Sequence, residues 1–152
     1  MRQKSALKIG DLELGQGLIL APMAGITDLS FRRIAKSFGV DLVTTEMVSS
    51  EGLVRNKAST KMLLQSHAEE KPVAIQLFGS DPKVVAEAAR IVEDEGADII
   101  DLNMGCPVPK VVRQGAGAAL LQDVRTVASL VDAVRQAVNI PLTVKTRSGW
   151  SQ

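Results

Sequence analysis

The chain has 152 residues, 45% of them hydrophobic, and its 18 Lys and Arg nearly balance its 17 Asp and Glu. This composition allows one domain with a substantial core, and the near-neutral charge neither supports nor excludes a nucleic-acid partner. A single cysteine excludes an internal disulfide, and no apolar run approaches the roughly 20 residues that a membrane span needs. We therefore expect a cytoplasmic protein with no membrane contact.

The first third of the chain predicts a hairpin and then two strands joined by a helix. Residues 7–14 alternate apolar with polar side chains around a Gly-Asp pair, which is typical of a short β-hairpin. The apolar runs 18–21 and 41–45 predict strands that are buried on both faces. Between them, residues 27–38 predict a helix that a Thr or Asp side chain caps. Its apolar residues predict the buried face: Leu29, Phe31, Ile34, Ala35 and Phe38.

The middle of the chain continues this alternation. A helix is predicted over residues 53–64 and a strand over residues 72–77. Asp81 then caps a further helix that has Pro82 in its first turn and ends at Gly96. The apolar residues of this helix predict its core face: Val84, Val85, Ala88, Ala89, Ile91 and Val92.

The last third predicts two more strands. They are residues 98–102 and 141–144, with a short helix over 115–121 and a longer one over 123–138 between them. Strands that alternate with helices through short connections indicate a parallel α/β sheet.

Two architectures fit this order, an open doubly wound sheet and a (β/α)8 barrel. No Gly-x-Gly-x-x-Gly follows the first strand, so a dinucleotide-binding fold is weakly supported. An N-terminal hairpin suits a barrel, because it can close the barrel's N-terminal end. A complete barrel needs eight strands and roughly 250 residues, and this chain supplies about five strands. We therefore predict a partial TIM barrel, in which residues 1–152 are the N-terminal portion of a catalytic domain.

Polar side chains follow the predicted strands, and a parallel barrel brings such residues to one face. They are Glu46, Gln76, Asn103, Cys106, Lys145 and Arg147, with the backbone of Pro22, Met23 and Ala24 after the first strand. Lys145 beside a planar, electron-accepting ring would stabilise negative charge there, and amides can donate to and accept from ring edges. This suits a flavin. A lysine at a strand end also forms Schiff bases, so an aldolase stays open, and a lone cysteine is otherwise a small buried hydrophobe.

Four stretches at these strand ends carry a family resemblance. They are Leu20 to Asp28, Gln76 to Pro82, Ile100 to Pro107 and Lys145 to Trp150. In this order they resemble the signatures of the tRNA-dihydrouridine synthase family, and most of all its bacterial B-type branch. The likeness runs from about Leu12 to the end of the chain.

The resemblance implies that FMN, bound at the barrel mouth and reloaded by NADPH, reduces the C5–C6 bond of a uridine in tRNA. It also assigns contacts to FMN: the backbone of Pro22, Met23 and Ala24 and the side chains of Gln76 and Lys145. Asn103 and Arg147 would lie beside the flavin ring or the target base, and Cys106 would donate a proton. An unperturbed thiol, with a pKa of about 8.5, is mostly protonated near neutral pH and can act as such an acid.

The later barrel strands of the family, with their phosphate contacts to FMN, and its C-terminal helical RNA-binding domain have no counterpart here. We therefore expect the chain alone neither to retain FMN tightly nor to turn over tRNA. Unpaired strand edges also predict self-association. Two further functions stay open, a dihydroorotate dehydrogenase-like pyrimidine oxidoreductase and a non-catalytic RNA-binding module. No metal site is predicted.

Overall fold

The computed structural model describes residues 7–150 and begins with the predicted hairpin. Strands β1 (Leu7–Ile9) and β2 (Leu12–Leu14) pair antiparallel. Leu14 is buried and packs with Leu42, Ala74 and Ile99, near the N-terminal ends of the sheet strands. The hairpin therefore covers the end of the sheet opposite to the predicted site.

A curled parallel sheet forms the centre of the molecule. Its strands are β3 (Val43–Thr44), β4 (Val48–Ser49), β5 (Val73–Phe78), β6 (Ile99–Met104) and β7 (Leu142–Thr146). The order is β3-β5-β6-β7, and β4 pairs with the C-terminal half of β5, beyond β3. Strands β3 and β4 thus lie one after the other along the same strand, β5.

The two longest helices pack on the outer face of the sheet, and the shorter ones lie in the connections between its strands or before the first of them. The helices are α1 (Leu29–Ser37), α2 (Ser50–Val54), α3 (Ala58–Lys61), α4 (Pro82–Asp94), α5 (Pro109–Val112) and α6 (Val124–Ala137). Short 3₁₀ turns occupy Met62–Leu64, Ala68–Glu70 and Gly117–Gln122. As predicted, Asp81 caps α4 and Asp123 caps α6, each by accepting a backbone N–H. Among residues 7–150, every helix falls short of the length and apolar character that crossing a bilayer requires.

The main core lies between the sheet and helices α4 and α6. Ile75 and Leu77 on β5, with Ile100 and Leu102 on β6, point toward buried residues of these helices such as Val92. A parallel sheet covered on its outer face by helices, with a hairpin at its N-terminal end, is part of a TIM barrel, as predicted.

Two predicted elements are wrong in detail. Residues 18–21 form an isolated bridge between Ile19 and Leu42 rather than a strand, and Ile19 is 46% exposed. The helix predicted over 53–64 is broken, because Asn56 adopts a left-handed conformation with φ of 57°. A run of apolar residues does not show whether strands will pair with it on both sides, and it does not show whether a turn will interrupt it.

The predicted buried face of α1 is also wrong. Ile34 and Phe38 on that face are 60% and 84% exposed, whereas Arg32 is 2% exposed. Arg32 turns inward because its guanidinium forms two hydrogen bonds with Glu70, at 2.7 and 3.1 Å. A buried ion pair therefore attaches α1 to the turn at Ala68–Glu70.

Candidate active site

The C-terminal ends of β5, β6 and β7 meet at one open cavity of about 330 Å³. Seven residues singled out from the sequence line it: Pro22, Ala24, Gln76, Asn103, Cys106, Lys145 and Arg147. Met47 and Val108 line it as well, and the sequence did not indicate them. The parallel strands thus bring the predicted thiol, amides and cations together.

Strand alternation explains which polar groups face inward. On β6, the side chains of Asp101 and Asn103 share one face, while Ile100 and Leu102 pack against the helices. The register places Gln76 beside Asp101, and Asn103 beside Lys145 on β7. Neighbouring strands therefore set these side chains at the same level of the sheet.

A chain of hydrogen bonds joins these side chains. Gln76 Nε2 donates to Asp101 Oδ2 at 2.6 Å, and Thr143 Oγ1 donates to Asp101 Oδ1 at 2.7 Å. Asn103 Nδ2 donates to Gln76 Oε1 at 2.8 Å. Because Gln76 is only 1% exposed, its amide is held mainly by protein groups, and it presents little surface to a ligand.

Backbone contacts hold the loop that carries the thiol. Asn103 Oδ1 accepts the N–H groups of Gly105 and Cys106, at 3.2 and 3.0 Å. On the other side of the loop, the Cys106 carbonyl accepts the Ala118 N–H at 3.0 Å. Cys106 is half-buried, so its thiol lies at the cavity wall without being sealed in the core.

Gly117 allows this loop to approach the following 3₁₀ turn. Its φ is +61°, and an added Cβ would lie 2.6 Å from the Cys106 carbonyl oxygen. Backbone atoms cannot move aside cheaply, and L side chains rarely adopt this φ. A side chain at Gly117 would therefore displace the loop.

We expect Gly117→Ala to lower the free energy of unfolding by more than the roughly 1–2 kcal/mol that left-handed strain alone costs. The matched control is Gly96→Ala, where φ is +87° but no atom lies within 4 Å of an added Cβ. Urea denaturation of both variants measures the difference. Equal losses would show that the contact with Cys106 contributes nothing.

A second loop, Pro22 to Gly25, forms another wall. The Met23 carbonyl accepts the N–H groups of Ile26 and Thr27, both at 3.0 Å, and the Met23 N–H donates to Thr27 Oγ1 at 3.0 Å. The Gly25 N–H donates to the carboxylate of Glu46, which follows β3. Met23 is thus bonded within its own loop and does not line the cavity, and its contact with a cofactor stays a prediction.

Cations stand at the rim of the cavity. Lys145 and Arg147, at the end of β7, are exposed. Within residues 7–150 neither forms an ion pair, so their charge remains available to an anionic ligand.

Asp101 is the polar residue that sequence reasoning missed. It is 7% exposed, and burial raises its pKa, against which the hydrogen bonds from Gln76 and Thr143 and the charge of Lys145 act. The sequence did contain a signal for Asp101, because this residue lies two positions before Asn103 and therefore shares its face of the strand.

The pKa of Asp101 predicts a pH dependence of stability. A carboxyl whose folded pKa lies above its ordinary value of 3.8 stabilises the fold below that value and loses this contribution as the pH rises through the folded pKa. We expect wild type to lose stability relative to Asp101→Asn as the pH rises from 3.8 toward neutral, measured by urea denaturation. At Asp123, where hydrogen bonds lower the pKa, Asp→Asn should give the opposite trend. A difference between wild type and Asp101→Asn that does not change with pH would contradict the expectation.

A separate cavity of about 350 Å³ lies beside the start of α4. Its polar groups are already engaged, since Arg55 pairs with Glu51 at 2.9 Å and Asp81 caps the helix. It holds neither the thiol nor the free cations, so we place the chemistry at the first cavity.

The donor set of the first cavity fits a flavin. The Lys145 ammonium and the Arg147 guanidinium stand at its rim, and the small residues Ala24 and Gly105 are part of its lining. Cations and N–H donors bind the electron-rich edge of a flat heterocycle, and small residues let it approach the backbone.

Comparison with known proteins agrees with this geometry. Residues 19–152 match the family model for dihydrouridine synthase (Dus). A probable tRNA-dihydrouridine synthase of Rickettsia typhi is 46% identical over 145 residues, which are 95% of this chain and 44% of that protein. The tRNA-dihydrouridine synthase B of Pseudomonas aeruginosa is 44% identical over 148 residues, 97% of this chain and 45% of that protein.

A solved structure shares the fold. Histamine dehydrogenase from Rhizobium sp. 4-9 superimposes with a TM-score of 0.61 at 14% identity, over 93% of this chain and 33% of that one. The chain spans somewhat less than half the length of the curated relatives that it matches.

Proposed function

The chain belongs to the dihydrouridine synthase family, and from this we propose that its protein reduces uridine in tRNA to dihydrouridine. The cofactor is FMN, and NADPH supplies the reducing equivalents. The substrate is a uridine that leaves its base stack to reach the cavity, as base-modifying enzymes require.

One observation carries this proposal. The thiol of Cys106 and the ammonium of Lys145 line the same cavity at the ends of neighbouring parallel strands. An acid and a cation at the same cavity suit a reaction that places a proton on a carbon atom while negative charge develops on an oxygen atom.

Each side chain has a role in that reaction. Bound FMN would supply the hydride for C6 of the uracil. Cys106 donates the proton to C5, and its thiolate is left behind. Lys145 stabilises negative charge at the ring edge, and Arg147 lies at the rim, where a polyanionic RNA would approach. Asn103 holds the loop that presents the thiol.

Deletion of the gene that carries this sequence tests the proposal. Mass spectrometry of tRNA from the deleted cells is expected to show loss of dihydrouridine, and wild-type protein supplied in trans should restore it. An unchanged dihydrouridine content would contradict the proposal. Purified protein that reduced free pyrimidines but not tRNA would instead favour a pyrimidine oxidoreductase.

A further inference from the structure

A directional chain of hydrogen bonds runs from the thiol loop into the sheet and ends at Asp101. The Gly105 and Cys106 N–H groups donate to Asn103 Oδ1. Asn103 Nδ2 donates to Gln76 Oε1, and Gln76 Nε2 donates to Asp101 Oδ2. Every donor in the chain therefore points toward the carboxylate.

Asp101 is the member whose chemistry fixes this direction. An ionised carboxylate only accepts hydrogen bonds, whereas an amide can turn to present either its oxygen or its NH2 group. Asp101 thus selects the orientation of Gln76 in which the NH2 group faces the Asp101 carboxylate and the amide oxygen faces Asn103. Asn103 must then donate to Gln76, which leaves its own oxygen for the two loop N–H groups.

We propose that Asp101 is a positioning residue that, through Gln76 and Asn103, holds the Cys106 loop in place for proton donation. The catalytic part of this inference rests on the proposed function, whereas the position of the loop is a property of the chain itself. Asp101 is not among the residues that line the cavity of Cys106, and its hydrogen bonds reach the Cys106 loop through the two amides.

The alternative of a purely structural carboxylate is weaker. Burial of a charged group costs free energy, and an asparagine of the same size would avoid that cost. An asparagine at position 101 could also either accept a hydrogen bond from Gln76 or donate one to it. It would therefore permit both orientations of the Gln76 and Asn103 amides. The loop N–H groups and the acceptor-only carboxylate thus favour the same orientation from both ends of the chain of hydrogen bonds, and an asparagine at 101 removes one of these two constraints.

Backbone amide hydrogen exchange in the full product of the gene tests the positioning role, without flavin or tRNA. In Asp101→Asn, exchange at Gly105 and Cys106 is expected to rise about tenfold, the change that follows from weakening one ordinary hydrogen bond. The apolar variant Asp101→Leu should raise it further. The control is Asp98→Asn, the same substitution just before the start of β6, where Asp98 accepts the Val73 N–H at 2.7 Å.

Turnover gives the second readout. Asp101→Asn is expected to lower kcat for dihydrouridine formation about tenfold and to leave the KM for tRNA unchanged, because the tRNA contacts stay in place. Unchanged loop exchange in both Asp101 variants, or an equal rise in Asp98→Asn, would overturn the inference. If wild type forms no dihydrouridine, the proposed function fails, and the exchange data alone then decide whether Asp101 positions the loop.

Discussion

Cys106→Ala is expected to lower dihydrouridine formation by about 10²–10⁴-fold, the range that a positioned general acid contributes. The backbone of the loop is held by the Asn103 side-chain oxygen and by the Ala118 N–H, so removal of the thiol should leave its shape intact. In the full product of the gene, flavin content and tRNA affinity should therefore stay at wild-type values while the chemical step fails. Anaerobic single-turnover oxidation of the reduced protein by tRNA measures that step.

The matched control is Cys106→Ser. A hydroxyl fills nearly the same space but is a far weaker acid than a thiol, so turnover should stay low although the side-chain volume is restored. Turnover at the wild-type rate in either variant would remove Cys106 from the mechanism, and another proton donor at the cavity would have to be sought.

Arg32→Ala is expected to destabilise the protein by about 3–5 kcal/mol, the loss typical of removing one partner of a buried ion pair. Arg32 is 2% exposed and Glu70 is fully buried, so the variant leaves a carboxylate without its partner and away from water. Two further donations, to the carbonyls of Thr27 at 2.9 Å and Gln65 at 2.7 Å, are lost with the side chain. Urea denaturation measures the free energy of unfolding.

The neighbouring pair supplies the control for this experiment. Arg33 pairs with Glu69 on the same helix and the same turn, but both side chains are largely exposed. Water screens such a pair, so Arg33→Ala should change stability little. Equal losses from Arg32→Ala and Arg33→Ala would show that burial of the ion pair does not matter.

The sequence by itself determined the alternation of strands and helices and the residues at the strand ends. These features depend on local periodicity and on turn and capping residues, which neighbouring positions encode. Seven predicted residues therefore meet at one cavity, although no contact between them was known. The likeness of four motifs to one family suggested the chemistry that we propose for this cavity.

Only the tertiary structure decided which partners the polar side chains take. Gln76 and Asp101 are 25 positions apart, and Arg32 and Glu70 are 38 apart, so no local pattern records either pair. Arg32 is buried although the apolar pattern of α1 predicts another face, and strand register places Asp101 beside Gln76. Hydrogen bonds and ion pairs inside a protein depend on distance in space, and distance in space follows from the packing of the whole sheet.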